Sequence, residues 1–121
     1  MQLVAKIILL LSVVAVFGCA TVNQVQDPEP LYTRMTPDDV LAANETVRNA
    51  LENALSGMRL SWKSTTSGHS GSVTPVNTFK TKSGLYCRVY EEMLTIGKQT
   101  ERYTDTACRD SKGRWRPVVV N

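Results

Sequence analysis

Three cysteines, a single histidine and the adjacent acids Glu91 and Glu92 are the residues of this chain best suited to chemistry. A thiol can be a nucleophile, a metal ligand, half of a disulfide or an acylation site, and its surroundings decide which. Cys19 closes a short apolar leader, whereas Cys87 and Cys108 lie far downstream. His69 sits in the Ser/Gly-rich stretch TTSGHSG, Thr65 to Gly71. A Ser-His-Asp arrangement needs a nucleophile presented on a strained turn, and no G-x-S-x-G occurs, so Ser70 and Ser72 read as turn serines. Glu91 and Glu92 are neighbours, and neighbouring strand residues face opposite sides, so without a bulge they cannot work together as acid and base. Two downstream cysteines are too few for a tetrahedral zinc site unless His69 and another group join them. No phosphate-binding glycine loop is present. The residues imply no enzyme, no metal and no cofactor.

The elements that place Cys19 come first. Ile7 to Phe17, IILLLSVVAVF, runs eleven residues without a charge behind Lys6. As a helix it would reach roughly 17 Å, short of the ~30 Å hydrocarbon core, which suits a secretory leader better than a permanent span. Val16, Gly18 and Cys19 resemble the lipobox of bacterial lipoproteins, where the cysteine is acylated and the chain is cut before it; Phe17 departs from the usual small residue. That resemblance implies a signal peptide over 1–18 and three acyl chains, palmitate among them, on Cys19. A single chain binds only marginally, so three make a lasting anchor. Ala20, rather than aspartate, follows the cysteine, which in enteric-type sorting directs a lipoprotein to the outer membrane.

Residues 19–35 carry two prolines and no sustained periodicity, and read as a flexible tether able to reach ~50 Å. One domain is expected over 36–121. Thr36 can cap a helix, Pro37 suits its first position, and Asp38 and Asp39 favour its dipole. Apolar residues recur from Val40 to Met58 on one stripe, and Gly57 supplies a stop, giving a helix over Pro37–Ser56. Beyond it the period becomes two. Strands are expected at Leu60 to Trp62, Ser72 to Thr81, Leu85 to Ile96, Gln99 to Arg109 and Arg114 to Val120, with an edge position or a bulge at Pro75. The fold class is α+β: one amphipathic helix on an antiparallel meander of about five strands.

Removing Cys19 for acylation leaves an even pair in an oxidising compartment. A two-residue turn at Gly97-Lys98 pairs Ile96 with Gln99, and stepping outward places Cys87 opposite Cys108. Counting from the turn makes this a non-hydrogen-bonded pair, with Cα atoms about 4.5 Å apart, at the short end of what a disulfide spans. A slip of one residue would put the sulfurs on opposite faces.

The run from Gly71 to Val118 resembles the C-terminal domain of the seventeen-kilodalton surface antigen family of bacterial outer-membrane lipoproteins. The likeness rests on Gly71-Ser72-Val73-Thr74-Pro75, Tyr86-Cys87-Arg88 with Tyr90, the Gly97 turn, Ala107-Cys108-Arg109, and Gly113 followed by Trp115, with ALENALSGMRLSW ahead of them. Family members commonly carry a glycine-zipper segment, which this chain lacks. The resemblance implies an envelope location and no known reaction.

Charge is uneven along the chain. Ala20 to Gly57 holds two arginines against six acids, and Met58 to Asn121 holds eleven Lys and Arg against five acids. Such a split suits mutual attraction of the halves or a basic half facing an anionic surface, and it lacks any motif for nucleic acid. Arg88, Arg102, Arg109, Arg114 and Arg116 crowd the last three strands; they read first as a solvated face and second as a candidate binding face for anionic lipid, glycan or an acidic partner. Trp62, Tyr86, Tyr90, Tyr103 and Trp115 are expected to fill the layer between helix and sheet rather than form an exposed recognition face. The functional expectation is a non-enzymatic lipoprotein of the outer membrane, on its periplasmic side or the cell surface, in contact with the bilayer and other envelope proteins. The alternative is a periplasmic inhibitor module that blocks an envelope enzyme such as a lysozyme with the TTSGHSG loop or the Asp110–Gly113 turn.

Overall fold

The computed structural model describes residues 18–19 and 23–119. The leader expected over 1–18 lies outside these residues, Gly18 apart. A 3-10 turn, Leu31–Arg34, leads to one helix, Pro37–Asn53 (α1). Five strands follow: Leu60–Lys63 (β1), Ser70–Lys80 (β2), Tyr86–Ile96 (β3), Gln99–Arg109 (β4) and Trp115–Val118 (β5). They form one antiparallel sheet in chain order, with α1 packed on β1 and β2. This is the α+β meander that the periodicities imply.

The helix starts where its residues dictate. The Thr36 hydroxyl accepts from the Asp39 amide while the Asp39 carboxylate accepts from the Thr36 amide, closing a reciprocal cap. Its end corrects the expected Ser56. Ala54 is already extended, and Arg88 Nη1 donates to the carbonyls of Ala50 and Leu51 at 3.1 and 2.8 Å. The Ala50 carbonyl also accepts from the Ala54 amide, so the cation chiefly satisfies the Leu51 carbonyl, which a further helical residue would otherwise fill. Leu55 and Met58, read as the last members of the apolar stripe, are exposed, and Gly57 serves a turn whose amide donates to the Pro75 carbonyl.

Pairing of β3 with β4 keeps one register from Ile96–Gln99 out to Cys87–Cys108. The disulfide forms there, with a Cα separation of 4.0 Å. Alternation turns even-numbered β3 residues and odd-numbered β4 residues toward α1, so the disulfide lies on the opposite face, beside Phe79 of β2. The expected irregularity at Pro75 is a bulge: the register shifts between Pro75 and Asn77. Several strand ends move by one or two residues. β2 begins at Ser70, because Gly71 pairs Trp62 and a side chain there would strike the Trp62 indole and the Met93 carbonyl.

Two apolar clusters form on the α1 side. Ala50, Leu51, Ala54, Val73, Tyr90 and Ala107 make the larger one, with Val47, Leu60 and Trp115 at its margin. Leu31, Leu94 and Ile96 make the smaller, against Met35, Trp62 and Tyr103. Leu31 is only 2% exposed, so the stretch read as a tether is folded at its end. The aromatic residues fill the helix–sheet layer as expected, except Tyr86, which is exposed beyond the end of α1.

Candidate functional site

The arginines proposed as one face are divided among separate jobs. Arg88 is a correction: it is buried, its Nε donating to Thr78 Oγ1 at 3.0 Å and its Nη1 to the end of α1, so it contributes to the fold and not to a surface. Arg109 pairs with Glu52 at 2.8 Å and lies over the Trp115 ring, whose indole donates to the other Glu52 oxygen. Arg114 and Arg116 converge on Asp110 at 3.0 and 3.3 Å. Hydrogen bonds from the Arg114 backbone first, then from the Arg114 and Arg116 side chains, hold the Asp110 carboxyl down at about 2 despite some burial. Arg102 stands on the face away from α1, 4.0 Å from Glu91.

His69 is tied down. Its Nδ1 lies 2.6 Å from Asp39 Oδ2, and Ser67 Oγ donates to Asp39 Oδ1 at 2.6 Å. Burial raises the Asp39 carboxyl, yet the bonds from Ser67, Thr36 and His69 outweigh it and leave it well below the ordinary carboxylate range. A hydrolytic triad would aim serine at the ring nitrogen remote from the acid; here the serine bonds the acid itself. The cluster locks the β1–β2 loop onto the start of α1. TTSGHSG is therefore a clamp packed against the helix.

Sequence reasoning missed a cleft of about 500 Å³ between the 3-10 turn, α1 and the sheet. Tyr32, Met35, Trp62 and Tyr103 line it, together with Glu92 and Asp105. Glu91 and Glu92 do face opposite sides, as alternation requires, and Glu92 takes the side that meets α1. Burial, then a hydrogen bond to Asp105 and its charge, pushes the Glu92 carboxyl up to about 7. The detectable signal was an acid between Tyr90 and Leu94 on the inward period of β3. The arrangement raises the affinity of Glu92 for a proton, and among the described residues no group of acids, histidines or cysteines could take a metal.

Cys19 is a free, exposed thiol upstream of the fold. Among the described residues no helix is long and apolar enough to cross a membrane.

Residues 49–116 match the family described as 17 kDa outer membrane surface antigen. The chain is 36% identical over 84 residues to the 17 kDa surface antigen of Rickettsia bellii (strain RML369-C), covering 69% of this chain and 53% of that protein. It is 37% identical over 73 residues to the 17 kDa surface antigen of Rickettsia prowazekii (strain Madrid E), covering 60% and 46%. The counterpart in Rickettsia felis (strain ATCC VR-1525 / URRWXCal2) is 34% identical over 84 residues, again 69% and 53%. The chain thus spans about half the length of the curated relatives it matches. No solved structure matches it.

Proposed function

Because this chain belongs to the 17 kDa outer membrane surface antigen family, we propose that it is a non-enzymatic lipoprotein of the bacterial outer membrane. Acylated Cys19 is its anchor, and the disulfide-stapled domain is an interaction component of the cell envelope. The observation that carries this is the family match over 49–116, which contains the helix end, the buried Arg88 and both disulfide cysteines. Support for the anchor comes from Cys19 itself, exposed and twelve residues ahead of the first folded turn at Leu31. Ser67 and His69 both bond Asp39, so this trio serves as a structural clamp, which is consistent with a binding role.

Replacing Cys19 with serine in the exporting cell tests the anchor. The wild-type chain is expected in the outer-membrane fraction and the variant in the soluble or inner-membrane fraction. A variant that still fractionates with the outer membrane would overturn lipid anchoring.

A further inference from the structure

Between Glu52 and Glu91 the chain has no aspartate or glutamate, yet it has Arg59, Lys63, Lys80, Lys82 and Arg88. Arg88 is buried on the end of α1; the other four are exposed. The fold draws two parts of this carboxylate-free stretch together. Gly57 donates to the Pro75 carbonyl at 2.7 Å, which lays the 55–59 turn against the bulge at Val76. From there Val76 to Lys80 continue as a sheet margin, because β1 pairs only with Ser70 to Val73. The β2–β3 turn completes the wall, with Thr81 and Leu85 bonded across it and Lys80 Nζ 5.2 Å from the Tyr86 ring.

This margin is apolar as well as basic. Leu55, Met58, Val76, Phe79, Leu85 and Tyr86 are all exposed along it. Scattered exposed apolar residues need no explanation, but a set gathered along one unpaired sheet margin together with Arg59, Lys80 and Lys82 marks an interaction surface. Apolar side chains that enter an interface, with lysine stems that keep their ammonium groups at headgroup level, make the pattern of a monotopic membrane contact. We propose that the margin formed by residues 55–59 and 76–86 docks edge-on, with side chains from both sheet faces, on an anionic phospholipid surface. The proposal deepens the envelope reading above and rests on it, since the Cys19 anchor keeps the domain within reach of a bilayer. Pairing with the same margin of a second copy would set like charges against each other with no carboxylate to offset them.

The test uses the full exported chain in vesicles, with its N-terminal mass measured on the same preparation so that missing acylation is scored separately from missing docking. Amide exchange across 55–59 and 76–86 should slow about tenfold or more on phosphatidylglycerol-containing vesicles relative to pure phosphatidylcholine, while the Gly97 turn stays unchanged. In parallel, the full-length Cys19→Ser chain is co-sedimented with the same anionic vesicles. There Lys80→Gln with Lys82→Gln should weaken binding about tenfold or more, at roughly one factor of five per cation removed. Both lysines are exposed, so these variants fold. Equal exchange on both vesicle types, or unchanged co-sedimentation of the double variant, would overturn the proposal. So would protection on phosphatidylcholine that grows with protein density, which is the mark of a second copy.

Discussion

The two apolar clusters under the helix side of the sheet are held by opposite means. The larger is closed from within: α1 lies on it, and Arg88 reaches from β3 to bind the helix's last carbonyls. The smaller is closed from outside by the 3-10 turn. Leu31 drops into it, while the Leu31 amide donates to Glu101 and the Tyr32 amide to the Tyr103 hydroxyl at 2.9 and 3.3 Å. Tyr103 in turn donates to Glu101, and that bond first, with the Leu31 amide second, holds the Glu101 carboxyl below its ordinary range. The first cluster belongs to the segment shared with the antigen family; the turn that closes the second precedes it. One cluster is the domain's frame. The other is a lid of local sequence laid on that frame, and it should be separable.

The sharpest break falls on the frame. Arg88→Ala strips the guanidinium from the buried Leu51 carbonyl and leaves a gap beside the end of α1, and should cost about 3 kcal/mol. Urea unfolding reads this directly, and a loss below about 1 kcal/mol would mean water replaces the guanidinium. Leu31→Ala should cost about 2 kcal/mol from burial lost in the smaller cluster. Hydrogen exchange should show the loss confined to residues 31–35 and the cleft, with β2 and β3 protected as before. If global stability falls as far as it does for Arg88→Ala, the lid is part of the frame.

A smaller effect, with opposite sign, is expected from Glu92→Gln. The folded state holds the Glu92 proton up to about 7, whereas the unfolded chain releases it in the ordinary carboxylate range. Wild-type stability should therefore decline as pH rises through that window, and the glutamine chain should not follow. At pH 8 the variant should be the more stable by on the order of 1 to 2 kcal/mol, and the two should converge near pH 4. Thermal melts across that range provide the check; parallel curves would show that the cleft leaves Glu92 in water.

How much of this could be read beforehand depends on the distance over which each feature is decided. The β3–β4 hairpin was legible in full because a two-residue turn and a period of two fix every pair, including Cys87 with Cys108. The start of α1 was legible because its cap is made by Thr36 and Asp39, three residues apart. Its end was not, since Arg88 is 37 positions beyond Leu51. The folding of Leu31–Arg34 was hidden for the same reason: its partners, Glu101 and Tyr103, lie some seventy residues on. The five arginines looked like one face because they share a sign, yet alternation and the β4–β5 pairing scatter them. The cleft escaped because Glu92 was judged against Glu91 alone, and its real neighbour is Asp105.

How the three thiols are used decides both the membrane anchor and the staple of the sheet. Peptide mass mapping of exported protein, digested without reduction and after blocking free thiols, settles it in one measurement. The expected result is an N-terminal fragment that begins at an acylated Cys19, together with one cross-linked fragment joining Cys87 to Cys108. An unacylated Cys19 behind an intact leader, or a blocking group found on Cys87 or Cys108, would contradict it.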